Sequence, residues 1–282
     1  MVKEEKISEK IVEAPVETPV ETAVEAVKEV PVDSSRPEPM VSDEGAVKDG
    51  LEKDESKEGI DDVILDMFKA GVHFGHQKSK WQPKMKQYVF GIKNNVHIID
   101  LVRTKEKLDE ALEFMQAIVK DGKQILFIGT KRQTKGIVED LAKECGMPFV
   151  SSRWIGGTFT NHKVIGKRIQ RLDEIEAITE NKEEITKYTK QEIGTLKKEA
   201  GRINEKLGGI RDMKGFPGAI FAFSVSEDKT AIQEAISKKI PVIGLADTNA
   251  NPELVDYPIP CNDDSILALN FIAKVIKSKI KK

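Results

Sequence analysis

The sequence predicts an α/β protein: a parallel, flavodoxin- or Rossmann-like sheet with helices on both faces. From residue 61 onward, short apolar runs alternate with amphipathic segments of helical period. The apolar runs "QILFIGT", "GAIFAF" and "PVIGLAD" lack polar alternation, as expected of strands covered on both faces. Strand–helix alternation of this kind implies right-handed crossovers and a parallel sheet.

The predicted elements follow one another along the chain. "IDDVILDMFKAG" indicates a short helix ending near Gly71, "VHIIDL" a strand, and "TKEKLDEALEFMQAIVKDG" an amphipathic helix. The remaining elements are the strand "QILFIGT", the helix "GIVEDLAKECG", the strands "PFVSS" and "GAIFAF", the helix "TAIQEAISKK", the strands "PVIGLAD" and "YPIP", and a terminal helix from about Asp263.

An insertion at about residues 162–208 interrupts the alternation with two helical patterns and no strand. Each pattern carries one narrow apolar stripe among charged residues, the second with coiled-coil spacing. The stripes are Ile165, Ile169, Leu172, Ile175 and Ile178, then Ile193, Leu196, Ala200, Ile203 and Leu207. This pattern predicts an antiparallel helical hairpin that projects from the sheet domain.

The charge distribution divides the chain in two. Residues 1–60 hold 8 Lys and Arg against 17 Asp and Glu, whereas residues 61–282 hold 37 against 30. The first segment is rich in Pro, Val, Glu and Thr and predicts a disordered acidic extension, because it cannot bury enough apolar surface to offset chain entropy. Residues 61–282 are predicted to form a single domain, whose basic balance is typical of nucleic-acid contact.

Several classes of protein are disfavoured by composition. Cys145 and Cys261 lie far apart without metal-type spacing, which indicates free thiols in a reducing compartment. No apolar run is long enough for a membrane span, and the acidic N-terminus does not resemble a secretory signal, so we expect a cytoplasmic protein without a membrane partner.

A basic loop, "HQKSKWQPKMK" at residues 76–86, follows the first helix. Its cations alternate with an aromatic ring, a pattern that favours contact with a nucleic-acid backbone over a merely solvated face. The candidate binding residues are His76, Lys78, Lys80, Trp81, Lys84 and Lys86. His73, His76 and the distant Asp247 are kept as candidate metal ligands, but the ligand count of a metal site is not met, and no metal is predicted.

The turns after two predicted strands supply the other candidates. "KRQTKG" brings Lys131 and Arg132 to the start of a helix, where an anion could bind. It matches neither the P-loop nor the dinucleotide motif, and no cofactor is expected.

The turn "RWIGGTFTN" offers Arg153, Trp154, Gly156, Gly157 and Asn161 as residues facing RNA or a partner. Its glycines allow close backbone approach and Arg153 suits a phosphate. Trp154 is either a stacking face or a ring of the core, and the sequence leaves both open. No nucleophile motif accompanies the turn.

Several blocks occur in an order that resembles one family. They are "AGVHFGHQ", "WQPKM", "ILFIGTKRQ", "RWIGGTFTN", "LGGIRDMKGFPGAIF" and "ADTNANPELVDYPIPCNDD". Over roughly residues 61–282 the chain is similar to the bacterial-type second ribosomal protein of the small subunit. The resemblance implies a parallel-sheet domain with a protruding helical hairpin and no enzymatic activity.

The resemblance also implies partners: small-subunit ribosomal RNA and neighbouring ribosomal proteins, including the large mRNA-binding ribosomal protein. The basic loop and the "RWIGGTFTN" turn are the parts that we expect to face them. This chain departs from the pattern at Ser224, where the family commonly has an acidic residue, and in its acidic extension.

The function predicted is therefore that of a structural constituent of the small ribosomal subunit, which binds ribosomal RNA and supports assembly and translation. The alternative is an enzyme that binds a nucleotide or phosphosugar on the same kind of sheet, because a fold by itself does not determine function. A third interpretation, a partner-binding module acting through the acidic extension, rests on that extension alone.

Overall fold

The computed structural model describes residues 62–181, 185–213 and 215–280. The predicted disorder of residues 1–60 lies outside these described residues. The elements, in chain order, are α1 (Asp62–Lys69), β1 (Phe74–Gln77), β2 (Val89–Lys93), β3 (Val96–Ile99), α2 (Leu101–Lys120), β4 (Ile125–Ile128), α3 (Lys135–Cys145), β5 (Phe149–Val150), α4 (His162–Glu180), α5 (Lys190–Leu207), β6 (Ala219–Ala222), α6 (Lys229–Ser237), β7 (Val242–Ala246), β8 (Tyr257–Pro260) and α7 (Ile266–Ile280).

The five-stranded sheet is parallel throughout and has the order β5-β4-β6-β7-β8. Every residue of β4, β6 and β7 is buried, which explains their uninterrupted apolar sequence. Numbered within this sheet alone, the order is 2-1-3-4-5, that of flavodoxin-like folds. The predicted fold class is confirmed.

Two apolar clusters cover the two faces of this sheet. One contains Leu108 of α2, Val138 of α3 and Ile272 of α7. The other contains Ile232 of α6 and Ile165 of α4. The sheet is therefore sandwiched between helices, and its polar groups are left to the ends of the strands.

A second, antiparallel sheet of order β1-β3-β2 precedes the parallel one. Of these three strands the sequence predicted β3, whereas β1 and β2 were not predicted. Both strands are short and contain a glycine, so their apolar period is weak. The sequence nevertheless contained a signal for a hairpin, the pair Asn94-Asn95. Both residues adopt positive φ angles, of 50° and 63°, in the β2–β3 turn, as tight hairpin turns require.

The helices α4 and α5 fall in the predicted insertion and lie against each other, with Arg171 Nε 3.4 Å from Glu199 Oε1. Ile165, Leu172 and Ile175 of the first predicted stripe are buried. The second stripe is less covered, since only its last member, Leu207, is buried. That the two helices form a projecting coiled-coil hairpin stays a prediction. None of the helices that the structure describes has the length and apolar composition needed to cross a membrane.

Candidate nucleic-acid interface

The basic loop is a surface segment held in place by its backbone. It runs from the end of β1 through two 3₁₀ turns, Lys78–Lys80 and Pro83–Tyr88. The amide of His76 donates to Thr248 Oγ1 at 2.8 Å, and the amide of Gln82 donates to the Thr248 carbonyl at 2.9 Å. The loop is therefore attached to the end of β7, and its side chains project from a defined backbone.

The four lysines of the loop are all exposed. Lys84 forms an ion pair with Glu253. Lys78, Lys80 and Lys86 have no carboxylate within ion-pairing distance among residues 62–181, 185–213 and 215–280. Three ammonium groups on one fixed loop, without an ion-pair partner in the part of the chain that the structure describes, create a positive surface that attracts phosphate.

Trp81 is half-buried, and its ring stacks on the ring of His97 with centroids 5.3 Å apart. The stack attaches the loop to β3. One face of the indole is therefore used inside the protein, which makes Trp81 partly a structural residue.

A crevice of charged side chains lies beneath the loop, at the carboxyl edge of the parallel sheet. Parallel α/β sheets bind ligands at this edge. His76 Nδ1 lies 3.1 Å from Asp247 Oδ2, and its Nε2 lies 3.3 Å from Asp264 Oδ2. Lys131 Nζ bridges Asp263 at 2.8 Å and Asp264 at 2.9 Å. Residues that follow β4, β7 and β8 thus converge on one histidine of the loop.

The pKa values of the crevice reflect this pairing. The hydrogen bond to Asp247 raises the pKa of His76 and outweighs the opposing effect of burial. Burial and the neighbouring charge of Asp247 raise the pKa of Asp263. Burial also acts on Asp264, but the hydrogen bond and charge of Lys131 outweigh it and lower the pKa of that carboxyl. Two cationic groups thus balance most of the negative charge of the crevice.

Ser224 also faces this crevice. Its hydroxyl donates to Asp263 Oδ2 at 2.6 Å. At this position the chain therefore contributes a neutral hydrogen-bond donor to a buried carboxylate.

The candidate metal ligands are only partly brought together. His76, Asp247 and Asp263 place one ligand atom each within 4.8 Å of one another. Asp263 was missed, although its position just after a predicted strand was a signal. The candidate His73 does not join them: it is buried, its ring stacks on Phe68 with centroids 4.4 Å apart, and burial lowers its pKa.

Lys131 and Arg132 differ in their environment. Lys131 was expected to face RNA, but its side chain is only 12% exposed and its ammonium is used by the two aspartates. It is therefore a structural cation, and the expectation is corrected. Arg132 is exposed, as an RNA-facing residue requires.

The "RWIGGTFTN" turn surrounds a carboxylate of the protein itself. Oε1 of Glu234, on α6, accepts hydrogen bonds from the Gly157 amide at 2.6 Å and from Trp154 Nε1 at 3.3 Å. Oε2 of Glu234 accepts from the amides of Phe159 at 3.0 Å and Thr160 at 3.3 Å. Burial opposes ionisation, but these bonds outweigh it and lower the pKa of Glu234.

This geometry decides between the two alternatives for Trp154 and corrects the expectation for the glycines. Trp154 is buried in the core and contacts Phe159, so it is not a stacking face for RNA. The expected role of the two glycines, close backbone approach to a partner, is not their main role. Gly157 has a φ of 97°, a conformation that lets the backbone of the turn bend around the carboxylate of Glu234. Arg153, Gly156 and Asn161 are exposed and stay candidates for contact with RNA.

These features define a class of protein. The chain is a flavodoxin-like α/β protein with a basic loop attached to the end of β7, above a crevice in which two cationic groups balance most of the charge of three aspartates.

Comparison with known proteins identifies the family. The family model for ribosomal protein S2 matches residues 67–282. The "small ribosomal subunit protein uS2" of a Nitratiruptor species is 42% identical over 218 residues, which cover 77% of this chain and 81% of that protein. The protein of the same name from Fusobacterium nucleatum subsp. nucleatum is 42% identical over 214 residues, covering 76% and 87%. The chain belongs to the ribosomal protein S2 family.

Proposed function

We propose that this chain is a structural component of the small subunit of cytoplasmic ribosomes and that it binds ribosomal RNA through its basic loop. Family membership over residues 67–282 supports the ribosomal role. The observation that carries the binding mode is that Lys78, Lys80 and Lys86 have no ion-pair partner among the described residues, on a loop fixed to the end of β7. Nothing in the family comparison supports the alternative of a nucleotide- or phosphosugar-binding enzyme, and a ribosomal protein of this family implies a non-enzymatic role.

The mechanism is electrostatic attachment on a preformed surface. Ammonium groups that neutralise phosphates release counterions, which favours binding and makes it sensitive to salt. Phosphate contacts of this kind set position and orientation without reading the base sequence. The fixed loop backbone lowers the ordering cost of binding, so that shape contributes together with charge. The exposed residues Arg132, Arg153 and Asn161 extend the surface.

Neighbouring ribosomal proteins are the second class of partner. Phe90 is 81% exposed, and with Phe68, Phe74 and Ile92 it forms an apolar face on α1 and the antiparallel sheet. A contiguous exposed apolar patch is typical of a protein–protein contact site. We assign this face to a neighbouring ribosomal protein, and the large mRNA-binding ribosomal protein is the candidate that the family resemblance indicates.

The ribosomal role is tested by sedimenting a lysate on a sucrose gradient at moderate salt. We expect the full chain to migrate with small subunits and intact ribosomes in near one-to-one amount. Detection only at the top of the gradient would contradict the proposal.

The basic loop is tested by the triple variant Lys78→Gln, Lys80→Gln and Lys86→Gln in the same assay. We expect the variant to leave the small-subunit fractions at a lower salt concentration than the unmodified chain, because three phosphate contacts are lost. A matched control replaces three exposed lysines of the helices α2 and α3 and the α6–β7 turn: Lys120, Lys143 and Lys238. Equal behaviour of the two triple variants would show that only total charge matters.

A further inference from the structure

His97, on β3, is a buried titratable side chain to which the proposed function gives no role. It is only 3% exposed. Neither ring nitrogen forms a hydrogen bond with any residue that the structure describes. An imidazolium would be less stable here than a neutral imidazole, because a charge would be buried without a partner. The fold therefore favours the neutral form of His97.

The charged groups around His97 do not offset a positive charge on its ring. Burial and the charge of Lys78 in the basic loop, in that order, lower the pKa of His97. On β1, His76 is paired with two carboxylates of the crevice. On β2, the register partner Ile92 is apolar and the next residue, Lys93, is an exposed cation. In the part of the chain that the structure describes, no carboxylate lies within ion-pairing distance of His97.

The ring of His97 is one of the attachments of the basic loop. Trp81 stacks on it with ring centroids 5.3 Å apart and an interplanar angle of 26°. Trp81 Nε1 is buried without a hydrogen-bond partner among the described residues, so packing against the imidazole holds the indole. The Lys78 amide donates to the Asn95 carbonyl at 3.0 Å, and the Gln82 amide bonds to the end of β7. The stack thus lies between two backbone attachments of the loop.

Protonation of His97 changes the balance of this contact. The face of the indole by itself attracts a cation. Against this, protonation places a second N–H donor in the buried environment and adds a positive charge beside Lys78. Separation of the two rings removes both costs, because the imidazolium then reaches water.

We propose that the stack of Trp81 on His97 is an acid-sensitive attachment of the basic loop: protonation of His97 favours separation of the rings and opening of the loop in the free chain. The inference rests on the proposed function, because this loop is the surface assigned to ribosomal RNA, and it adds a regulation of that surface by protons. The closed loop is the form that presents its lysines on a fixed backbone.

The direction of the pH dependence follows from the lowered pKa of His97. In the open loop the imidazole is in water, where its pKa has the ordinary value of 6.5. The closed loop is therefore most favoured above pH 6.5 and loses this advantage as the pH falls below it. One titrating group changes the opening equilibrium by at most about tenfold per pH unit. The pKa of His76 is raised, so an opening controlled by His76 would increase as the pH rises.

The first test measures hydrogen exchange of the free full chain at about pH 7.5 and about pH 5.5, corrected for the intrinsic pH dependence of exchange. We expect peptides covering residues 78–88 to open more at the lower pH, by up to about tenfold per pH unit below 6.5. In the variant His97→Phe, which keeps an aromatic ring and cannot be protonated, this response should be absent. The matched control His162→Phe replaces an exposed histidine at the start of α4 and should keep it.

Two outcomes of this comparison overturn the proposal. One is equal protection of the loop at both pH values in the unmodified chain. The other is an acid response that persists in His97→Phe, which would assign the opening to another group. If this variant does not fold, an NMR titration of the histidine rings in the unmodified chain decides instead. A His97 resonance that titrates only well below pH 6.5 supports the proposal, and one that titrates at about pH 6.5 overturns it.

A second experiment separates this inference from the proposed function. Hydrogen exchange of the same peptides is measured with the full chain assembled in purified small subunits. Phosphate contacts that bind only the closed loop should keep it protected at both pH values. A bound chain whose loop opens with acid as the free chain does would contradict the binding of RNA by the loop. The experiment on the free chain tests the acid-sensitive attachment itself, because it contains no RNA.

Discussion

At the scale of single residues, Glu234 explains why the "RWIGGTFTN" turn has its shape. A buried carboxylate that accepts several backbone and side-chain hydrogen bonds replaces the water that these donors would otherwise need. The conformation of the turn, including the outward direction of Arg153, follows from a residue about 75 positions further along the chain.

Replacing Glu234 by Gln should destabilise the protein. The amide nitrogen of Gln would face the N–H donors of Phe159 and Thr160, or else those of Gly157 and Trp154, and leave them unsatisfied. We expect the free energy of unfolding to fall by about 3 kcal/mol, the cost of one or two orphaned buried donors. Urea denaturation measures it, and Gln233→Ala, at an exposed site on the same helix, is the control. A loss below about 0.5 kcal/mol would mean that the carboxylate does not organise the turn.

Asp228 should make the stability depend on pH. Burial raises its pKa from 3.8 to about 6, even though Thr130 Oγ1 donates a hydrogen bond to it at 2.8 Å. The folded state therefore holds this proton more tightly than the unfolded state. Its stabilising contribution is complete below pH 3.8 and is lost as pH rises through 6.

The variant Asp228→Asn tests this directly, since the amide resembles the protonated acid. At pH 7 we expect the free energy of unfolding of the variant to be about 1–3 kcal/mol higher than that of the unmodified chain. Near pH 4 the difference should vanish, because Asp228 is then protonated in the folded state. Asp140→Asn, on an exposed face of α3, serves as the control. A difference that does not change between pH 4 and pH 7 would contradict the raised pKa.

At the scale of elements, local sequence determines where helices begin and end more clearly than how they pack. Asp100 precedes α2, and its Oδ1 accepts a hydrogen bond from the Val102 amide at 3.0 Å. Gly146 follows α3 with a φ of 64° and ends it. These signals are short-range, so they are readable in the sequence. The strands β1 and β2 are also short, but their stability comes from pairing with β3.

Removing the cap of α2 should have a measurable effect. Asp100→Ala leaves an amide of the first turn without its acceptor, and we expect the free energy of unfolding to fall by about 1 kcal/mol. Thermal or urea unfolding gives the value. Asp109→Ala, which removes an exposed carboxylate from the same helix, should change it by much less; an equal loss in both variants would attribute the effect to charge instead of capping.

At the scale of the whole molecule, charge is distributed very unevenly. Residues 1–60 have a net charge of −9 and residues 61–282 a net charge of +7. Long-range attraction to RNA depends on such totals as well as on individual contacts. The acidic residues 1–60 lie before the residues matched by the family model, which begin at Met67.

Deleting residues 1–60 should raise the affinity for non-specific RNA. We expect tighter binding to a random-sequence RNA at low salt and a steeper salt dependence, because the remaining chain is net positive. Filter binding across a salt series measures both quantities. An unchanged affinity at low salt would show that the extension does not reduce the attraction of the body for RNA.

The fold class and most of its helices and strands were determined by the sequence alone. Apolar runs such as "ILFIGT" and helical stripes such as Leu108, Leu112 and Met115 indicated core residues correctly, because the apolar residues in them are buried in the structure. The exposed lysines of the basic loop were equally readable, because charge on a loop requires no partner. The tertiary structure alone decided the environments of Trp154, Lys131 and Glu234. The partner of Trp154 lies 80 residues away and one partner of Lys131 lies 133 residues away, and no local pattern encodes which distant groups meet when strands align at one edge of a sheet.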